Sequence, residues 1–93
     1  MDNRESELLL AFLKILGNED RLGIIKLLKE CDEMCAKDIG ARFYLEQSTT
    51  SHHLNLMRRL NLVKTVKRGR NIFYSLDKVI LKKMLVKAQA FLL

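Results

Sequence analysis

The side chains best equipped for chemistry lie between positions 48 and 59, where serine, histidine, asparagine and arginine recur at helical spacing. On a wheel of about 100° per residue with Thr50 at the origin, Ser48, Ser51, His52, Asn55 and Arg59 fall between about 100° and 200°, while Leu54 and Met57 join Thr50 on the other side. The outward side can donate and accept hydrogen bonds at base edges, and it holds no carboxylate to repel a phosphate. The start of such a helix adds backbone amides and the positive end of the helix dipole. These are the requirements of a helix that lies in a DNA major groove; the competing reading is an ordinary solvated helix face.

A second cluster, Lys67, Arg68, Arg70 and Asn71, surrounds Gly69. At the tip of a hairpin these side chains would project beyond the fold, where they could enter a minor groove or grip its phosphates. Cations at a turn also finish many solvated surfaces. It is the two clusters adjoining in sequence that make the stronger case for nucleic acid.

The remaining reactive groups are few. Cys31 and Cys35, four residues apart, could bind a soft metal with help from a partner subunit, close a disulfide on oxidation, or be ordinary small residues at a loop. Lys29 and Lys37 favour a thiolate there, while Glu30, Asp32 and Glu33 oppose it. His52 and His53 are adjacent, so on a helix they point about 100° apart and cannot chelate one ion. His53 lies at the edge of the buried stripe and is read as a packing histidine. No phosphate-cradling glycine loop, carboxylate pair or nucleophile elbow is present, so an enzyme has no support and no cofactor is expected.

The elements that position these groups can be read in order. Asp2 or Asn3 caps a first helix whose apolar side holds Leu8, Leu9, Phe12, Leu13, Ile15 and Leu16. Gly17 ends it, and Asn18 caps a second helix over about 19–30. Residues 31–35 are polar and read as a loop, followed by a short third helix from Ala36 to Phe43 and a turn over 44–47. Ser48 is the expected N-cap of a fourth helix running to about Leu60, closed by Asn61 in the left-handed C′ position. Val63–Arg68 and Ile72–Leu76 are β-rich runs around a glycine turn, which is a hairpin. Asp77 caps a last helix over about 78–92, with Ile80, Leu81, Met84, Leu85, Ala88, Phe91 and Leu92 in a sector of about 140°. The fold class is therefore mostly α with a small β-hairpin, in the order α-α-α-α-β-β-α.

Composition sets the outer limits. Ninety-three residues suit one domain, 1–93, with no linker or repeat. The net charge is +6, but residues 1–46 carry 7 basic and 10 acidic side chains whereas 47–93 carry 10 basic and 1 acidic. So cationic a second half points to a polyanion. The longest apolar run, Leu8 to Leu13, is far shorter than the roughly 20 residues of a membrane span, and the acidic start is unlike a signal peptide. A soluble cytoplasmic protein is expected, and the lysine-flanked last helix is read as an interface between copies rather than a membrane anchor.

The chain resembles the ArsR/SmtB winged helix-turn-helix repressors. The matching residues are Leu16-Gly17-Asn18-Glu19-Asp20-Arg21-Leu22 with Ile25 and Leu28, then Gln47-Ser48-Thr49-Thr50-Ser51-His52-His53-Leu54, then Leu62-Val63, Gly69-Arg70 and Tyr74-Ser75-Leu76. The resemblance implies a homodimer joined through the first and last helices, which places Leu9, Phe12, Leu13, Leu16, Ile80, Met84, Leu85, Ala88 and Phe91 at the interface. It also implies that Gln47, Ser48, Thr49, Ser51, His52, Asn55 and Arg59 contact double-stranded DNA and that the hairpin is the wing. Two such helices would sit about 34 Å apart on a pseudo-palindromic operator. One family metal site uses a Cys-x-Cys pair; here Cys35-Ala36-Lys37 keeps only the first thiol. The other uses Asp and His on the last helix, and residues 78–93 contain neither, so no metal site is carried over. A winged-helix module that docks a protein instead of DNA is the alternative. It would have no need of the cationic second half.

Overall fold

In a computed structural model of the chain, which describes residues 3–93, the element order is α1 (Asn3–Leu16), α2 (Glu19–Glu30), β1 (Met34–Cys35), α3 (Ala36–Arg42), α4 (Gln47–Arg59), β2 (Val63–Arg68), β3 (Asn71–Leu76) and α5 (Lys78–Leu92). Helices α3 and α4 form a helix-turn-helix, and β2 and β3 form the wing. The three strands make one antiparallel sheet in the order β1-β3-β2.

Local chemistry explains most boundaries. Asn18 accepts a hydrogen bond from the Arg21 amide at 3.0 Å to start α2, and Asp77 accepts one from the Ile80 amide at 3.1 Å to start α5. Asn61 takes the left-handed conformation, with φ 59°. Around it the Asn61 amide donates to the Arg58 carbonyl and the Leu62 amide to the Met57 carbonyl, the paired bonds of a Schellman closure. Helix α3 closes in the same way. Tyr44 has φ 55°, its amide donates to Ala41, and the Leu45 amide donates to Gly40. In the wing, Gly69 has φ 60° and is the only loop position with positive φ, the pattern of a type II′ turn that fits strand twist.

Four expectations are corrected. Asn3 is already helical and Asp2 lies outside the described residues. Ser48 does not cap α4: the helix begins at Gln47, and Glu46 is the cap residue without a side-chain cap bond. The reversal at Tyr44 turns the chain so tightly that α4 starts two residues early, and the Glu46 carbonyl accepts from both the amide and the hydroxyl of Thr50, each at 3.0 Å. The third helix stops at Arg42, with Phe43 as its cap. Lastly, part of the 31–35 loop is strand β1, in which Met34 pairs with Tyr74 and Cys35 with Phe73. Two residues show no alternation, so only the presence of β3 reveals this strand.

The core is drawn from nearly every element. Phe12, Ile24, Leu28, Ile39, Leu54, Met57 and Leu62 are fully buried, and each such side chain contributes about 1.5–3 kcal/mol on burial. Helices α3 and α4 cross closely at Gly40, where a Cβ would stand 2.7 Å from the Thr50 hydroxyl. Close packing there fixes how α4 is presented.

Candidate nucleic-acid interface

Helix α4 divides as the periodicity requires. Thr50, His53, Leu54 and Met57 are buried, and Gln47, Ser48, Thr49, Ser51, His52, Asn55 and Arg59 are exposed along the other side. Arg58 is exposed beside them and was not singled out by the sequence, since it lies at the edge of the outward sector.

His53 shows how this helix is held from behind. Arg21 donates from Nη1 to His53 Nδ1 at 3.1 Å, from Nη2 to the Lys14 carbonyl at 2.9 Å and from Nε to the Ile15 carbonyl at 3.3 Å. One guanidinium thus satisfies two last-turn carbonyls of α1 and reaches into α4. Arginine can only donate, so Nδ1 carries the lone pair and the ring proton resides on Nε2. That nitrogen lies 3.9 Å from Asp20 Oδ2. Burial, then the Arg21 charge, lower the His53 pKa from its ordinary value, with Asp20 opposing. The ring is neutral at pH 7, as a packing histidine should be.

The wing presents Lys67, Arg70 and Asn71 in the exposed region around Gly69. Arg68 differs. Its guanidinium is ion-paired with Glu33, which precedes β1, and sits 5.2 Å from the centroid of the Phe73 ring. Although about half exposed, it ties the wing to the sheet edge, a role that 35 residues of separation hid from sequence reading.

A cleft lies between α3, the start of α4 and the wing. Its lining includes Lys37, Gly40, Gln47, Ser51 and Asn71, so the structure brings part of the helix cluster and part of the wing cluster together. In the sequence Lys37 draws notice only as a charge near the thiols. It belongs to the net-negative half of the chain, and a charge count by halves conceals it.

The thiols occupy joints of the fold. Cys31 is half-buried at the C-cap of α2, and Cys35 is buried at the end of β1, immediately before α3; both are free. Among the described residues there is no group of three or more His, Cys, Asp and Glu arranged to hold a metal ion.

The terminal helices pack on one another within the chain. Leu9, Met84 and Ala88 are buried in doing so, Leu16 and Ile80 are half-buried, and Leu13, Leu85 and Phe91 remain exposed. Phe12, expected at an interface between copies, is fully buried and belongs to the hydrophobic core of the single chain, so it is not available to a second copy. Leu8, Leu10, Val79, Val86 and Leu92 extend the exposed apolar surface. No described helix is long and apolar enough to cross a membrane.

Comparison with known proteins agrees with this architecture. The sequence pattern of the arsR family of bacterial regulatory proteins matches residues 18–65. The cadmium resistance transcriptional regulatory protein CadC of Listeria innocua is 38% identical over 68 residues, covering 73% of this chain and 57% of that protein. An arsenical resistance operon repressor of Staphylococcus aureus is 42% identical over 69 residues, covering 74% of this chain and 65% of its own length. The chain therefore matches less than two thirds of the length of these relatives. Among solved structures, HlyU from Vibrio cholerae superposes with a TM-score of 0.73 at 29% identity, covering 98% of both chains. The chain belongs to the arsR family, a family of transcriptional regulators and not of enzymes.

Proposed function

We propose that the chain is a homodimeric, sequence-specific DNA-binding transcriptional repressor, with α4 in the major groove and the wing on the adjacent minor groove or backbone. One observation carries this reading: the exposed side of α4 holds Ser48, Ser51, His52, Asn55 and Arg59 without a carboxylate, and the cationic turn of the wing follows it in the chain. Serine, asparagine and histidine discriminate base edges, while Arg59, Lys67 and Arg70 neutralise phosphates and Asn71 bonds to them. The exposed Leu13, Leu85 and Phe91 supply an apolar surface for a second copy. A two-fold pair would read a pseudo-palindrome with half-sites about 34 Å apart. The names of relatives as resistance repressors support the sign of regulation.

Thiol chemistry tunes the activity in this reading. Cys31 ends α2 and Cys35 is the last residue of β1 and the cap of α3, so oxidation there would move the helix on which α4 rests.

The test is fluorescence anisotropy on the chain's own upstream duplex and on a scrambled one, with reductant and with a mild thiol oxidant. Preference for the upstream duplex, with log affinity falling steeply against log salt, is the expected result. Equal affinity for both duplexes would remove sequence specificity, and no binding at low salt would overturn the whole reading. An oxidant effect that persists after Cys31→Ser with Cys35→Ser, or is absent from the wild type, would remove the thiol component.

A further inference from the structure

Adjoining major and minor grooves share one sugar-phosphate strand as their common wall. A protein that sets a helix in one groove and a wing in the next must hold that strand between them. Here the space between α4 and the wing is the cleft already described, with Gln47 and Ser51 from α4 on one wall, Asn71 from the wing on another, and Lys37 and Gly40 from α3 completing it.

The lining is chemically one-sided. Lys37 is its one charged residue, and the polar remainder, Gln47, Thr50, Ser51 and Asn71, is neutral. No carboxylate lines the cleft, although Asp38 is the next residue along α3. Lys37 is exposed and takes part in no ion pair among the described residues. Gly40, packed against Thr50, lets α3 and α4 approach closely at the floor of the cleft and so fixes the distance between Lys37 and the start of α4. Ala36, Ala41 and Leu45 make up the apolar part of the lining, and an ammonium among neutral hydrogen-bonding groups, with no carboxylate in the lining, suits a phosphodiester and would not suit a cation.

We propose that Lys37 is a phosphate-binding residue and that this cleft seats the DNA strand shared by the two grooves. The proposal rests on the DNA-binding reading above and adds α3 to an interface otherwise made of α4 and wing. Lys37 acts as a sequence-independent clamp that sets how deeply α4 enters its groove. The cation supplied by the acidic half of the chain lies where the duplex passes.

The experiment compares wild type, Lys37→Gln, Lys37→Arg and Lys26→Gln, the last removing an equal charge from the exposed side of α2. Each is titrated by anisotropy on the upstream and scrambled duplexes across a salt series. Lys37→Gln is expected to weaken both duplexes alike, about fivefold per chain, and to reduce the salt slope by about 1 per chain, as loss of one phosphate contact requires. Lys37→Arg should restore the slope, and Lys26→Gln should leave it unchanged. Circular dichroism melting of Lys37→Gln should match wild type, since the side chain is exposed. Wild-type affinity and slope in Lys37→Gln, or losses no larger than those of Lys26→Gln, would overturn the proposal while leaving the DNA-binding reading intact. Failure of the wild type to bind either duplex would overturn both.

Discussion

Helices α4 and α5 are of similar length and both carry cations, yet their surfaces are finished differently. In α4 the apolar residues Leu54 and Met57 are buried and the outward side is polar from Gln47 to Arg59. In α5 only Met84 and Ala88 are buried, while Val79, Leu85, Val86, Phe91 and Leu92 stay 47–64% exposed. Water satisfies the first surface and leaves the second with an uncompensated hydrophobic cost. One chain thus offers a polar side suited to a charged polymer and an apolar side suited to a copy of itself.

The comparison can be broken most severely at α5. Leu85→Glu combined with Phe91→Glu should leave the fold intact, because both positions are exposed, yet convert a dimer to a monomer in sedimentation. Loss of the second half-site contact should lower operator affinity by about 10²- to 10⁴-fold. Unchanged affinity would place the apolar surface outside DNA recognition.

Next in size is the anchor of α4. Leu54→Ala removes a fully buried side chain and should cost about 2–5 kcal/mol in denaturant unfolding, with no change in the chemistry of the outward side. A loss below 1 kcal/mol would mean that α4 does not depend on its buried stripe.

Tyr44 gives a smaller effect of opposite sign. A left-handed conformation costs an L-residue about 1–2 kcal/mol, and Tyr44 is 96% exposed, so its ring returns little by burial. Part of the gain on replacement is lost to the greater freedom of unfolded glycine. Tyr44→Gly should therefore stabilise the chain by about 1 kcal/mol, measurable as a raised melting temperature; a lowered one would show that the phenol has a structural partner.

The smallest effect is one of pH. Burial and Arg21 hold the His53 pKa below its ordinary 6.5, so across the interval between the two values the unfolded chain binds more protons than the folded one. Stability from this group is complete above about pH 6.5 and declines as the pH falls through that interval. His53→Gln, which can still accept from Arg21, should flatten the slope between pH 5 and 7. An equal slope in the variant would assign the dependence to another group.

What the sequence made legible was local. Asn18, Asn61, Gly69 and Asp77 each act within a few residues of their own position, so their types alone predict helix ends and a hairpin turn. The polar side of α4 follows from periodicity and is equally local. What escaped involved partners far along the chain. Strand β1 exists because β3 lies beside it, Arg68 is engaged by a glutamate 35 residues earlier, and the packing of His53 depends on an arginine 32 residues earlier. The start of α4 at Gln47, with Glu46 as its cap residue, is equally hidden, because the turn before it places Tyr44 in a conformation that tyrosine rarely adopts.

The base of the wing has a consequence for how such a molecule can change over generations. The Leu62 carbonyl accepts from the Asp77 amide at 2.8 Å, and Val63 pairs with Leu76 directly above, so residues 63–76 leave and rejoin the body at one place. Within the hairpin, Val63 and Tyr74 belong to the core, Phe73 and Tyr74 pair with β1, and Arg68 is ion-paired with Glu33, so only the turn at Gly69 and Arg70 stands clear of the body. Replacing that turn would alter the reach of the wing without disturbing the framework. The replaceable part of the hairpin is thus its two turn residues, and the strands beneath them are framework.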